Sequence, residues 1–167
     1  MIAAGNILKM KSQLGEVVTY KLPIGDELLL MNQFLEKKLT LEFTGEINCL
    51  HTGKKIKKTY GQGYSYESFM KLACCDVCIV KPELCHYDKG TCREPEWGLK
   101  NCFQSHVIYL SDTSSVKVGI TRHSQVPTRW IDQGATRAIP IVSVENRHLS
   151  GQIEVELKSM FNDKTNW

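Results

Sequence analysis

The chemistry-bearing residues of this chain are its seven cysteines: Cys49 stands alone, and Cys74, Cys75, Cys78, Cys85, Cys92 and Cys102 fall within one short stretch. Cys75-Asp-Val-Cys78 is a C-x-x-C pair, the spacing at which a tight turn aims two thiolates at one tetrahedral ion. Partners to complete such a site are available in Cys85, His86, Cys92, Cys102 and His106. The pattern predicts one structural Zn²⁺ held by four of Cys75, Cys78, Cys85, Cys92 and Cys102, with Cys74 a spectator because adjacent residues rarely aim at one ion. The competing reading is a compact knot of free buried thiols. A redox C-x-x-C lacks its strand-helix setting. The zinc deaminase signature is absent, since Pro82 is followed by Glu83 and Leu84.

A second constellation precedes the cluster. Lys54, Lys55, Lys57 and Lys58 are followed by Tyr60, Tyr64 and Tyr66, an alternation of cations and aromatics that suits nucleic-acid backbones and exposed bases. It also describes a solvated hairpin tip. The chain carries 21 basic and 18 acidic side chains, a net charge of +3, so any polyanion site must be local rather than a property of the whole surface. The excess lies in residues 53–100.

The elements that must position these groups read as a soluble α+β chain, 42% hydrophobic and 23% charged. A β-rich N-terminal part (1–48) has strands expected at 16–22 and 39–45, with a helix or strand between them over 27–37. The cysteine-rich zinc module (49–105) is short of long apolar periods. From 106 onward a ββαβα order is expected: a hairpin of His106–Leu110 and Val116–Thr121, a short helix over 128–133 closed by Gly134, a strand at 138–144, and a last helix capped by Ser150. Neither a secretory leader nor an apolar run of about 18–20 residues is present. A cytoplasmic, reducing location with no membrane partner is therefore expected, where clustered thiols more often bind metal than pair.

Longer motifs then become recognisable: Lys81-Pro-Glu-Leu-Cys-His-Tyr87, Gly90-Thr-Cys-Arg93, Trp97-Gly98, Val116-Lys-Val-Gly-Ile-Thr-Arg122, Pro127-Thr-Arg-Trp-Ile-Asp-Gln-Gly-Ala135 and Asp163-Lys-Thr-Asn-Trp167. With Cys75-Asp-Val-Cys78 and Val107-Ile-Tyr-Leu110 they resemble a bacterial domain-of-unknown-function family, number twenty-seven ninety-seven. Its members in turn look like distant relatives of the GIY-YIG nucleases. Relatives usually carry an earlier C-x2-C-x12-C-x2-C ribbon; here Cys49 stands first and Thr52, Ser65 and Ser68 take the other positions. Hydroxyls are poor zinc ligands, so this first metal is expected to be lost and hydrogen bonds or packing to hold the turn. Relatives also continue past Trp167, which implies an early end to residues 106–167 and the lack of a closing helix.

The resemblance implies a phosphodiester site: Tyr109 at the nuclease's first tyrosine, Lys117-Val-Gly119 at its Tyr-Ile-Gly strand, Arg129 at its arginine, and Glu154 at the carboxylate that holds Mg²⁺ or Mn²⁺. A phenol near the attacking water, a guanidinium against developing phosphorane charge and a metal-bound carboxylate would divide the chemistry. Lys117 departs from the pattern, since an ammonium keeps phosphate affinity but not a phenol's proton chemistry. Arg122 is a further candidate for nucleic-acid contact, and His123 a spare proton carrier. The expectation is thus a DNA- or RNA-interacting protein, hydrolytic or catalytically inactive, with a protein-binding adaptor as the alternative.

Overall fold

The computed structural model describes residues 3–161. It is a mixture of helix and strand with two three-stranded sheets, and the chain divides into two compact units, Met1–Phe69 and Met70–Trp167. The boundary falls inside the cysteine-rich stretch, leaving Cys49 with the first unit and the other six cysteines with the second. Among the described residues no helix is long and apolar enough to cross a membrane.

In the first unit, β1 (Lys11–Gln13), β2 (Thr19–Ile24) and β3 (Glu27–Leu30) form an antiparallel sheet in that order. Pro23, Ile24, Cys49 and Ser68 are its buried residues, so its core is thin. The segment 27–37 resolves into β3 followed by a one-turn 3-10 helix, Met31–Phe34. The strand expected at 39–45 is not there: this stretch is irregular, and Leu39, Leu41 and Phe43 are exposed. Alternating residues make a strand only when a neighbouring strand takes the backbone hydrogen bonds and one face is covered. Neither condition is met among the described residues.

The second unit begins within α1 (Tyr66–Lys71) and continues through four one-turn 3-10 helices to α2 (Pro95–Asn101). Then β4 (His106–Asp112) and β5 (Val116–Arg122) pair as a hairpin, α3 (Thr128–Asp132) follows, β6 (Arg137–Val144) returns to the other edge of β4, and α4 (Arg147–Leu157) closes the described part. Val107, Ile108, Tyr109 and Val118 supply its apolar centre. Gly134 ends α3 at φ +70, a left-handed conformation that glycine adopts without steric cost. Ser150 does not cap α4. Asn146 does, accepting a hydrogen bond from the Leu149 amide at 2.9 Å, while Ser150 is fully buried one turn inside and bonds the Arg147 carbonyl. The Asp163–Trp167 motif and the expected early end lie outside the described residues.

Candidate functional site: a cysteine-lined centre beside a Tyr-Arg-Glu cluster

The 3-10 turns Val77–Ile79 and Pro82–Leu84, the loop after them and α2 bring four sulfurs to one place. Cys78, Cys85, Cys92 and Cys102 line a single cavity together with Asp76, Tyr87, Trp97, Gly98 and Phe103. Its volume is about 20 Å³, enough for one water molecule or one ion. Burial, the Asp76 carboxylate and the other three thiols push the Cys78 thiol up to about 11, and burial raises Cys102 as well. Without a cation these thiols stay protonated at neutral pH; a bound divalent ion inverts that preference.

Cys75 does not line this cavity. Its sulfur stands 3.9 Å from that of Cys74, and burial with the Cys74 neighbour raises its thiol to about 11. Asp76, between the two cysteines of the C-x-x-C pair, organises the turn: it accepts the Val77 amide at 2.6 Å, pairs with Arg93 Nε at 2.8 Å and faces His86 Nε2 at 3.4 Å. Asp76, Cys78 and His86 are also a group whose ligand atoms lie within 4.8 Å of one another. His86 uses its other ring nitrogen on Thr91 Oγ1 at 2.8 Å.

In the first unit Cys49 is 1% exposed and sits at the centre of a hydrogen-bonded knot. The Ser65 amide donates to its sulfur at 3.2 Å, Ser68 Oγ lies 3.5 Å away, and Ser65 and Ser68 hydroxyls are joined at 3.0 Å. Burial works against ionisation of Cys49, but the hydroxyls of Thr52 and Ser68 and the amides of Ser65 and Thr52 outweigh it and hold the thiol at about 5. The four positions of the expected ribbon thus converge, linked by hydrogen bonds.

On the sheet of the second unit, cross-strand pairing sets Tyr109 opposite Gly119 and Ser111 opposite Lys117, so these four share one face. The Tyr109 ring lies over Gly119, tilts against Trp130 at 5.8 Å and donates its hydroxyl hydrogen bond to Gln133 Oε1. Burial raises the phenol's pKa, the Arg129 guanidinium beside it lowers it, and the Glu154 carboxylate raises it again. Helix α3 therefore sets the Arg129 guanidinium against Tyr109 of β4, and α4 carries Glu154 near enough for its charge to act on the same phenol. Tyr109 is fully buried, Arg129 is exposed, and the Glu154 side chain is 13% exposed and 3.5 Å from Lys158.

Lys117 is buried, with its ammonium 3.3 Å from Ser114 Oγ at the hairpin turn. Arg122 reaches Asn101 at 3.4 Å. In the first unit Lys54, Lys55, Lys57 and Lys58 are exposed; Lys55 pairs with Glu46 at 2.5 Å and Lys58 lies 5.3 Å from the centre of the Tyr60 ring. His123 is exposed in the one-turn helix after β5. Three residues emerge that sequence reading did not single out: Asp76, Gln133 and Arg147. Only Asp76 left a local signal, as a capping residue type set inside the C-x-x-C pair.

Fold and site together define a small mixed α and β protein with a cysteine-lined centre. Residues 36–167 match the family described as protein of unknown function (DUF2797), and the chain belongs to it. No curated protein and no solved structure matches the chain.

Proposed function

We propose that this protein binds nucleic acid, and that its second unit meets the phosphodiester backbone at the GIY-YIG-like set of Tyr109, Arg129 and Glu154. What supports this reading is that the Arg129 guanidinium of α3 and the Glu154 carboxylate of α4 both act on the Tyr109 phenol of β4. Arg129 is the exposed member and offers a planar, permanently charged donor to a phosphate. Glu154 supplies one carboxylate, and Mg²⁺ characteristically takes one or two carboxylates together with substrate phosphates; its pairing with Lys158 would have to yield to the ion. The enclosed Tyr109 hydroxyl, already bonded to Gln133, favours binding over hydrolysis. Lys54, Lys57 and the Tyr60 region of the first unit provide a second cationic surface of the kind single strands use.

The cysteine-lined centre is the structural metal site of this reading. Four sulfurs around a cavity sized for one ion match the donor set and coordination number of structural Zn²⁺, and Cys78, Cys85, Cys92 and Cys102 would hold it. When bound, the ion would keep the thiolates ionised and cross-link the turns that carry them. Asp76 and His86 are the weaker choice, because Arg93 already pairs with the Asp76 carboxylate and His86 does not line the cavity. No metal is proposed at Cys49.

The test is binding of single- and double-stranded DNA and RNA across a salt series, with Arg129→Ala beside the wild type. Phosphate contacts require affinity to fall as salt rises and the variant to bind more weakly. Salt-insensitive capture, or an Arg129→Ala protein that binds like wild type, would end this reading. Incubation with Mg²⁺ or Mn²⁺ separates binder from nuclease: cleavage that Glu154→Ala abolishes marks hydrolysis.

A further inference from the structure

We infer that Arg147 is a positioning residue that ties the cysteine-lined centre to α4, so that an ion held there governs the placement of Glu154. The link to Glu154 rests on the phosphodiester reading above; the link between centre and helix does not.

Arg147 is the first residue of α4 and grips the cysteine-bearing chain at two points. Its amide donates to the Cys102 carbonyl at 2.9 Å, and its Nη2 donates to the carbonyl of Ile79, next to Cys78, at 2.6 Å. One residue thus ties down the backbone beside two of the four sulfurs, Cys102 through its amide and Cys78 through its side chain. Its guanidinium is itself largely buried, near the sulfurs of Cys102 and Cys78, and its Nε has no hydrogen-bond partner among the described residues. The neighbouring His106 ring is fully buried, and its Nε2 is likewise unpartnered.

A guanidinium stays charged in a protein, and a buried charge requires an opposite one. Glu154 is the carboxylate whose charge acts on it, and Arg122 adds a like charge. Four thiolates around one divalent ion would carry a net charge of −2 and so add counter-charge near Arg147. A metal-thiolate centre would thus attract the arginine that grips its turns.

The second part of the link is steric. Gly151, one turn beyond Arg147, lies against the Pro82–Leu84 turn in the loop between Cys78 and Cys85. A Cβ at Gly151 would stand 2.5 Å from Pro82 Cβ and 2.7 Å from the Glu83 nitrogen. Such contact leaves the helix little freedom to redock if that loop moves. Glu154 lies on the same 11-residue helix, Arg147–Leu157, so the turns that hold the sulfurs also hold Glu154.

Hydrogen-deuterium exchange on the full chain, loaded with Zn²⁺ and then stripped with a chelator, reads the link directly. Amides of α4 are expected to lose protection by about tenfold or more on stripping while β4 and β5 keep most of theirs. Unchanged α4 protection would overturn the inference, as would equal loss throughout the sheet, which would make the ion a general requirement of the fold. So would a chain that takes up neither Zn²⁺ nor Co²⁺.

Transfer of Zn²⁺ to a chromogenic chelator gives an independent measurement. Arg147→Met should release the ion about tenfold faster or more, the usual scale for a residue supporting a metal site, and Arg147→Lys should fall between it and the wild type. Release from the Met variant at the wild-type rate would overturn the inference. Failure of salt-dependent nucleic-acid binding would remove the phosphodiester reading and leave the exchange result intact.

Discussion

Gly119 leaves the space that the Tyr109 ring fills: a Cβ at this glycine would come within 2.7 Å of both Cζ and the hydroxyl oxygen. The two residues are directly paired across β4 and β5. Because Tyr109 is enclosed, the ring cannot swing away to make room. Gly119→Ala is expected to cost roughly 1–3 kcal/mol, the usual range for overpacking a filled core, read from urea unfolding. An alanine variant as stable as wild type would mean the ring has freedom that this packing denies it.

Tyr109→Phe keeps the ring against Trp130 and removes only the hydroxyl bonded to Gln133. A stability loss of about 1 kcal/mol is expected, the typical net contribution of one hydrogen bond. Nucleic-acid affinity should fall less than in Arg129→Ala, because the hydroxyl itself is shielded. A large drop in affinity without a matching drop in stability would put the phenol in contact with the ligand.

Metal analysis of cysteine variants separates ligands from bystanders. Cys102→Ser should lower zinc content below one per chain, whereas Cys75→Ser and Cys49→Ser should leave it unchanged, since neither sulfur lines the cavity. Zinc lost from the Cys75 variant would restore the C-x-x-C pair as the anchor. Two zinc ions in the wild type would mean that the Cys49 knot also takes one.

Burial lowers the pKa of His106 below its ordinary 6.5; Arg147 and Arg122 push the same way, and the Gln104 carbonyl bonded to Nδ1 opposes them. The folded ring stays neutral while the unfolded chain takes up a proton below about pH 6.5. Stability from this residue is therefore present above pH 6.5 and declines below it, by at most about 1.4 kcal/mol per pH unit. His106→Asn should give a shallower acid limb between pH 6.5 and 5.5 in urea unfolding. Ion release at low pH affects both proteins, so the difference in slope isolates the histidine; equal slopes would show that it does not contribute.

Legibility from sequence followed how local each determinant is. The β4 and β5 hairpin, β6 and α4 were readable because Val107–Leu110 and Val116–Thr121 alternate and turn between Asp112 and Ser115, and because Ile153 and Leu157 repeat at helical spacing. The same alternation over Leu39–Phe43 misled, because period two says nothing about whether a partner strand exists. Ser150 was a plausible cap by residue type, but Asn146 lies where the helix begins. The cysteine cluster was visible as a cluster, yet spacing could not choose its members: Cys75 and Cys78 are three apart and face different neighbours. Arg147 and Gln133 were invisible, since their partners lie 68 and 24 residues away along the chain.

The knot around Cys49 draws on nothing outside the polypeptide: its hydroxyls and amides are present as soon as the chain is made. A centre built from Cys78, Cys85, Cys92 and Cys102 would instead depend on an imported nutrient. In a zinc-starved cell the knot would lack nothing it needs, while the turns around the four sulfurs would wait on supply. Newly made chains in such a cell should be cut among the turns that carry those four sulfurs.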